Sequence, residues 1–461
     1  MAEPSTLLLS GLALVLFLRG SEALLTGLIM ASVFQAMAFT NLGQSPLIIY
    51  YFLGVVYILR NGIDFLWQPN LLQWSPGKNT PFFWLLVFIA IALVGVLVLP
   101  MIFKGVMVYS PKLSIDEQYN NLTALELSAS HFNQLGQLVI NGLIFSIIWL
   151  RRVSPWILLR AMLFTLGVVL FFAAWQLFAN LSGVYFPDDW LYTVSGWSIG
   201  NQQAVGAFLR VNSVFLEPST LSTYLVGVFA FLLVWWVQRP TWALFLGVFF
   251  CLLGMMVTLS TTAYVGILLV VTAVFLGFGL TQLLNGGWIN KTLFAILIVT
   301  ALLAWLILVM TTASGDARDL FKWILSEKGD GDSFRVRIEA DLHSFEILWR
   351  TYGLGLGLGG NRPSSFLALL VSNLGVMGLL SFFLFMLSLS SLALSNVKAW
   401  TNGSMAVYAV AAVWGLWALM IAKVFSQPDL SFAPLWIWSF LLASFCTWHQ
   451  DRFNLFRKSL P

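Results

Sequence analysis

The feature that most constrains the fold is a series of long apolar runs that recurs along the whole chain. Three of these runs, 81–103, 221–237 and 292–310, contain no Asp, Glu, Lys or Arg. Each is long enough, at about 1.5 Å per residue, to cross most or all of the roughly 30 Å of bilayer hydrocarbon as a helix. With 59% hydrophobic and only 9% charged residues, the chain lacks the polar surface of a water-soluble domain. The sequence therefore predicts a polytopic membrane protein and excludes a soluble globular enzyme.

Windows of about 19 residues divide the runs into about thirteen predicted spans, with twelve and fourteen as limits. The predicted spans are 6–18, 22–40, 45–59, 81–103, 133–150, 155–180, 216–237, 240–259, 261–282, 291–312, 365–393, 404–424 and 430–447. Their length and lack of strict alternation favour helices over barrel strands. We therefore expect an all-α helical bundle that forms a single integral membrane domain over 1–461. The first run has no Lys or Arg before it and is expected to be a helix rather than a cleaved signal peptide.

Basic residues mark one side of this predicted bundle. They lie in short connections and in the C-terminal tail, at Arg19, Arg60, Lys78, Arg151, Arg152, Arg239, Lys291, Lys398, Arg452, Arg457 and Lys458. By the positive-inside rule that side is cytoplasmic, which leaves the three stretches 104–132, 181–215 and 311–364 outside. Orientation explains the net charge of +4 better than a polyanion partner does, because the basic residues form no stripe. We expect no nucleic-acid partner.

The long outer loop 311–364 is the most charged part of the chain, with seven of the 23 basic residues and eight of the 19 acidic ones. Apolar residues within it recur at spacings of three or four, at Phe334, Ile338, Leu342, Phe345 and Trp349. This pattern predicts an amphipathic helix suited to the membrane surface. The same helix places Arg335 four residues before Glu339 and Arg337 four before Asp341. Ordinary surface ion pairs are therefore the alternative interpretation of both arginines.

A second candidate region lies at the end of the outer loop 181–215. Arg210 and Glu217 stand just before a predicted span, and Pro218 is placed as its first helical residue. A guanidinium at the outer boundary of the bilayer opposes the usual charge bias and offers paired donors to a phosphate. Arg210 is therefore a candidate anion ligand. Glu217 has an equally good structural explanation, because an acid before a helix is stabilised by the helix dipole.

Alternating glycines close the long loop, at Gly353, Gly355, Gly357 and Gly359, before Gly360 and Arg362. This spacing lets the backbone approach a ligand closely, and a flexible hinge before a helix is the alternative. The run is not a dinucleotide fingerprint, because no buried strand precedes it. The three histidines are too scattered to predict a metal site. His343 alone stands out, since it shares the loop with Arg335 and Arg337.

Two stretches of the chain together resemble the O-antigen polymerase and O-antigen ligase family of bacterial envelope membrane proteins. The first runs from Arg210 to Glu217-Pro218-Ser219, and the second from Ser333-Phe-Arg335-Val-Arg337 through the glycine run and Arg362 to Gly378. Fifteen residues separate Arg337 from Gly353, similar to the arginine-to-glycine spacing of a periplasmic loop of the polymerases. The specific motifs cover about 205–227 and 333–378, and the span pattern covers most of the chain.

The resemblance implies a GT-C-type glycosyltransferase in the bacterial inner membrane that uses neither metal nor cofactor. Its active face would be periplasmic, and its donor would be a glycan linked to undecaprenyl diphosphate. The arginines Arg210, Arg335, Arg337 and Arg362 would hold the diphosphate, with Gly353, Gly355 and Gly357 contributing backbone. Glu217 or His343 would be the catalytic base, and the sequence does not choose between them. Membrane lipids, chain-length regulators and other polysaccharide assembly proteins would be the remaining partners.

The chain also departs from the family pattern. Ligases resembling it carry a histidine near the exit of the long loop, where this chain has Ser364-Ser365-Phe366, and the arginine of a Ser-Arg pair is absent from 259–263. The first departure favours polymerisation of repeat units into an O-antigen, capsule or exopolysaccharide. Ligase-type transfer of the glycan to lipid A core or to protein is the alternative. Transport of a glycolipid or anion is a second alternative, less favoured because the charges lie at span ends and outside.

Overall fold

The structure, a computed structural model, describes residues 4–42, 45–71, 80–110, 122–195, 199–200, 203–205, 208–279, 332–397 and 403–448. Its helices are α1 Pro4–Arg19, α2 Ser21–Ala31, α3 Ile49–Trp67, α4 Thr80–Ile102, α5 Ala129–Arg151, α6 Pro155–Ser182, α7 Asp188–Leu191, α8 Pro218–Gln238, α9 Trp242–Val257, α10 Thr261–Val274, α11 Asp332–Arg350, α12 Phe366–Leu369, α13 Gly375–Val397, α14 Gly403–Phe425 and α15 Ala433–Thr447. A π-helical turn, Phe275–Gly279, follows α10, another, Leu370–Leu374, joins α12 to α13, and a 3₁₀ turn, Pro69–Leu71, follows α3.

Three two-stranded antiparallel hairpins complete the described secondary structure. They are β1 Ala38–Leu42 with β2 Ser45–Ile48, β3 Met107–Tyr109 with β4 Leu122–Ala124, and β5 Ala204–Val205 with β6 Phe208–Leu209. All three lie in connections between helices rather than in a common sheet.

The prediction of an all-α, multi-pass membrane protein is confirmed. Eight of the described helices are long and apolar enough to cross a membrane, and four shorter apolar helices accompany them. Twelve of the thirteen predicted spans coincide with these helices, while the span 291–312 lies outside the described residues. The extents of two spans were wrong. The run 45–59 begins with β2, and its helix α3 starts at Ile49 and continues to Trp67. The run 22–40 is helical only to Ala31, and its last residues form β1.

Hydrogen bonds to distant residues explain why that helix stops early. The hydroxyl of Thr6 donates to the carbonyl of Phe39 at 2.8 Å, and the backbone N–H of Ala38 donates to Thr193 Oγ1 at 2.9 Å. Asn41 Nδ2 donates to the Thr193 carbonyl at 2.9 Å. The β1–β2 hairpin is thus tied to the start of α1 and to the connection after α6. A hydropathy average cannot register such bonds, because it counts only how apolar the run is.

The two ends of the bundle differ in character. At one end, which we call the basic end, Arg60 and Arg151 contact Asp64 at 3.2 and 3.0 Å, and Ser21 bonds to Asn61 at 2.9 Å. This contact agrees with the prediction that Arg60 and Arg151 lie on one side. The opposite end, which we call the loop end, carries β1–β2, the described residues of the segment 183–217, the turn 258–260 and α11.

Helix α8 lies at the centre of the bundle and is almost entirely buried. Small residues allow its neighbours to approach closely. A Cβ added at Gly227 of α8 would lie 2.9 Å from Leu419 of α14, and one added at Gly266 of α10 would collide with Val226 of α8. Close packing through small residues is characteristic of helices within a membrane. The first turn of α8, at the loop end, is therefore held by packing along the rest of the helix.

Candidate functional site

A buried polar network fixes the turn between Arg210 and Glu217. Gln176 of α6 accepts from the backbone N–H groups of Asn212 and Ser213 at 3.0 and 2.7 Å, and donates to Asn212 Oδ1 at 2.7 Å. The phenol of Tyr192 donates to the Ser213 carbonyl at 2.6 Å. Ser213 adopts a φ of 54°, a left-handed conformation that these bonds support. Arg210 and Glu217 are therefore presented at the two ends of a turn with little freedom to move.

Arg210 is held at the loop end by neutral partners. Its Nε donates to the Thr258 carbonyl at 3.0 Å, and its Nη1 donates to Gln203 Oε1 at 2.8 Å. Burial lowers the pKa of Arg210 to about 10, Glu217 opposes that shift, and the guanidinium of Arg337 adds to it. The pKa remains far above neutrality, so Arg210 carries its charge near a second cation. An anion bound there would relieve both the desolvation and the repulsion.

Glu217 occupies the N-cap position of α8, and Pro218 is its first helical residue, as predicted. The carboxylate makes no capping bond to its own helix, and its Oε2 instead accepts from the hydroxyl of Ser219 at 3.0 Å. Gly200 packs against it, since a Cβ added there would lie 3.3 Å from Glu217 Cγ. Glu217 forms no ion pair within 4.0 Å among the described residues. Its half-buried carboxylate thus has capacity to accept a further proton or hydrogen bond.

The two arginines of α11 have different surroundings. Arg335 pairs with Glu339 at 3.7 Å on a largely exposed face, as the alternative interpretation predicted. The corresponding prediction for Arg337 and Asp341 is wrong. Asp341 Oδ1 instead accepts from the backbone N–H groups of Ser364 and Ser365 at 2.9 and 3.1 Å, which caps the start of α12. Arg337 has no acid within ion-pair distance in the described part of the chain, and its charge acts on Arg210.

His343 and Arg362 both contact β3. The His343 Nε2 lies 2.9 Å from the Met107 carbonyl, and the ring meets Tyr109 edge-on at 5.5 Å between centroids. Because a carbonyl only accepts, Nε2 carries the proton in this contact, and Nδ1 faces the Glu346 carboxylate at 3.7 Å. The backbone N–H of Arg362 donates to the Tyr109 carbonyl at 3.0 Å. In the structure, His343 therefore contacts β3, whereas Glu217 lies near Arg210.

The glycine run forms an ordered segment that packs against neighbouring helices in one defined conformation. Gly353, Gly355 and Gly357 have φ values of 80°, 80° and 88°, a region that side chains disfavour. Gly357 donates to the Asn373 carbonyl at 2.9 Å. The close backbone approach is to the protein's own helices, because a Cβ at Gly357 would lie 2.7 Å from the carbonyl oxygen of Gly95 in α4. Packing between α4 and the π-turn explains the spacing without a hinge.

We expect Gly357→Ala to destabilise the protein much more than Gly353→Ala. Both substitutions place a side chain at positive φ, which costs about 1–2 kcal/mol. The alanine at 357 would also strike backbone at 2.7 Å, whereas at 353 the nearest atom is a Val376 methyl at 3.5 Å. Thermal unfolding of the two variants in detergent measures the difference. Equal melting temperatures would contradict the conclusion that the glycine run is a tightly packed segment.

Lys423, the only charged residue in the span Ser404–Val424, was not among the predicted site residues. The side chain is fully buried, its Nζ donates to the carbonyls of Gln427 and Asp429 at 3.0 and 2.8 Å, and it lies 4.6 Å from the ring centroid of Phe366. Gln427 in turn accepts from the hydroxyl of Thr220 in α8 at 2.7 Å. Lys423 therefore joins the loop ends of α8, α12 and α14 beside Glu217. A lone lysine in an apolar run was the available signal.

Comparisons with known proteins add no assignment. No protein-family model matches the chain, and a search of curated proteins found no match. Residues from three separate segments lie close together at the loop end, where their chemistry indicates a functional site. These are Arg210 with Glu217, the turn at Thr258, and Arg337 of α11.

Proposed function

We propose that this protein polymerises oligosaccharide repeat units carried on a lipid diphosphate, by metal-independent glycosyl transfer. The reaction takes place on the outer, periplasmic face of a bacterial inner membrane, within a bundle of GT-C type. The supporting observation is that two guanidiniums from distant segments, Arg210 and Arg337, act on each other beside a carboxylate. Neither guanidinium forms an ion pair within 4.0 Å in the described part of the chain, and like charges without such a pair are stabilised when an anion joins them.

The chemistry required by the proposal matches these three side chains. An acceptor sugar hydroxyl attacks the anomeric carbon of the donor, and the bond from that carbon to the diphosphate oxygen breaks. The diphosphate leaves with the bonding electrons, so negative charge develops on it, and two arginines can stabilise that charge. Glu217 accepts the proton that the acceptor hydroxyl loses. The motif Glu217-Pro218 places the carboxylate at the boundary of the central span, where the donor's head group would lie.

Helix α11 supports a substrate that arrives within the membrane. Its apolar stripe is exposed in the protein, with Ile338, Leu342 and Trp349 at 43%, 58% and 81% of their full accessibility. An amphipathic helix with such a face is stabilised by burying it in the interfacial region of a bilayer. Arg337 on the same helix would then lie at head-group depth, where a lipid-linked diphosphate would be found.

The distribution of charge argues against transport. Four of the described spans, Thr80–Ile102, Pro218–Gln238, Thr261–Phe278 and Phe366–Val397, contain no Asp, Glu, Lys or Arg. In Ser404–Val424 the one such residue, Lys423, is next to the last. Transporters commonly bind charged substrates with ionisable groups near the bilayer midplane. In these five spans the structure therefore places no Asp, Glu, Lys or Arg near the middle of the helix.

Reconstitution tests the proposal. The purified protein is placed in liposomes with undecaprenyl-diphosphate-linked repeat units extracted from the native host, with EDTA present, and the products are separated on a gel. We expect a ladder of regularly spaced bands. A single shifted band that requires a separate acceptor would indicate ligation. Movement of substrate across the vesicle membrane without a new glycosidic bond would indicate transport.

A further inference from the structure

Tyr264 stands out because its buried hydroxyl has no hydrogen-bond partner within the described part of the chain. The residue lies in the first turn of α10, and its backbone N–H donates to the Ser260 carbonyl at 3.3 Å. Two residues before Ser260, the Thr258 carbonyl accepts from Arg210 Nε at 3.0 Å. The helix that carries Tyr264 therefore begins at the turn that holds Arg210.

Other tyrosines of the bundle show how unusual this is. Tyr50 donates to Asn141 Oδ1 at 2.6 Å, Tyr51 to the Ser431 carbonyl at 2.7 Å, and Tyr192 to the Ser213 carbonyl at 2.6 Å. A buried phenol normally finds such a partner, because an unpaired polar group loses its hydration without compensation. Tyr57, in α3 toward the basic end, is the other described tyrosine whose buried hydroxyl lacks one.

The surroundings of the Tyr264 hydroxyl are cationic. Arg210 donates to the Thr258 carbonyl, two residues before Ser260, which is the N-cap of the helix that carries Tyr264. Both Tyr264 and Arg337 lie within electrostatic range of the Arg210 guanidinium. The Arg210 hydrogen bonds already described go to a carbonyl and an amide oxygen, so both acceptors are neutral. Two cations and one unused O–H donor favour a multiply charged anion with several acceptor oxygens.

We propose that the hydroxyl of Tyr264 donates a hydrogen bond to the diphosphate of the lipid-linked donor, alongside Arg210 and Arg337. This inference rests on the proposed function and assigns a third ligand to the same site. The neutral phenol adds a directional donor without adding charge. The oxygens of a bound diphosphate would provide hydrogen-bond acceptors for the hydroxyl and for both guanidiniums.

The test compares Tyr264→Phe with Tyr57→Phe, because each removes one unpaired buried hydroxyl from a membrane helix. Undecaprenyl diphosphate is titrated into each purified full-length variant in detergent, and Kd is measured from thermal stabilisation. Inorganic diphosphate is titrated in parallel, to separate recognition of the head group from that of the lipid chain. Melting without ligand is recorded for every variant.

We expect Tyr264→Phe to raise the Kd for undecaprenyl diphosphate about tenfold, the effect of one hydrogen bond to a charged group. Inorganic diphosphate should lose affinity in the same proportion, because the contact is to the head group. Without ligand the variant should melt at the wild-type temperature or above it, since no protein bond is lost. Tyr57→Phe should bind as wild type.

Two results would overturn the inference in different ways. If the wild type binds and Arg210→Ala loses binding while Tyr264→Phe binds as wild type, the Tyr264 assignment fails and the proposed function stands. If the wild type is not stabilised by undecaprenyl diphosphate at all, the proposed function fails together with the inference.

Discussion

We expect replacement of Arg210 or Arg337 with alanine to abolish chain growth in reconstituted liposomes, while each variant still inserts and folds. In the proposed reaction each guanidinium would stabilise charge that develops on the leaving diphosphate, and loss of one such donor typically costs about 10²–10³-fold in rate. Neither side chain forms an ion pair with another described residue. Arg210→Ala also loses the hydrogen bonds to the Thr258 carbonyl and to Gln203 Oε1, so we expect it to melt at a lower temperature without losing the fold. The measurement is the length and amount of the product ladder, with melting temperature as the check on folding.

Arg350→Ala is the matched control for these variants. Arg350 belongs to α11, as Arg337 does, but it is 60% exposed and lies 3.6 Å from Glu346 in a surface pair. Such pairs contribute little to stability, so this variant should produce the wild-type ladder. Arg210→Lys should retain the charge and lose the planar fork, giving activity between those of wild type and alanine. Ladders of normal length from both Arg210→Ala and Arg337→Ala would exclude a diphosphate site at these residues.

Glu217→Gln is expected to reduce polymerisation by about 10²–10⁴-fold, the contribution of general base catalysis. The substitution preserves the size of the side chain, and the amide oxygen can still accept from the Ser219 hydroxyl, which lies 3.0 Å from the present carboxylate. The protein should therefore melt near the wild-type temperature and bind donor. A rate measured with saturating donor separates the loss of base from a loss of binding.

His343→Gln distinguishes the two candidate bases. Its amide can still donate to the Met107 carbonyl, now 2.9 Å from His343 Nε2, so the contact with β3 is kept. Because Glu217 lies with Arg210, and His343 contacts β3, we expect His343→Gln to retain most of the activity. The opposite pattern, with His343→Gln inactive and Glu217→Gln active, would transfer the base to His343.

Local chemistry made several features predictable from sequence. Span helices follow from apolar runs, since a backbone in hydrocarbon must satisfy its own hydrogen bonds. Pro218 is the first residue of α8 because a missing N–H costs nothing there. The pair formed by Arg335 and Glu339 follows from helical spacing alone. Each of these depends on neighbours within one or two turns.

Features that depend on distant residues were not predictable. The hairpin β1–β2 replaces the end of a predicted span because Thr6 and Thr193 bond to it. Asp341 caps α12, twenty-three residues away, rather than pairing with Arg337. The glycine spacing indicated close backbone approach, but only the fold shows that Gly95 is the backbone approached. The meeting of Arg210 with Arg337 likewise required the fold, although each arginine stood out in the sequence.

The proposed function requires that Arg210 and Arg337 hold one diphosphate beside Glu217. An electron cryomicroscopy structure of the protein in lipid nanodiscs with an undecaprenyl-diphosphate-linked repeat unit tests it most directly. We predict diphosphate oxygens within about 3 Å of both guanidiniums, with the anomeric carbon on the side of the Glu217 carboxylate. A diphosphate bound elsewhere, with both arginines left without an anion, would contradict the account.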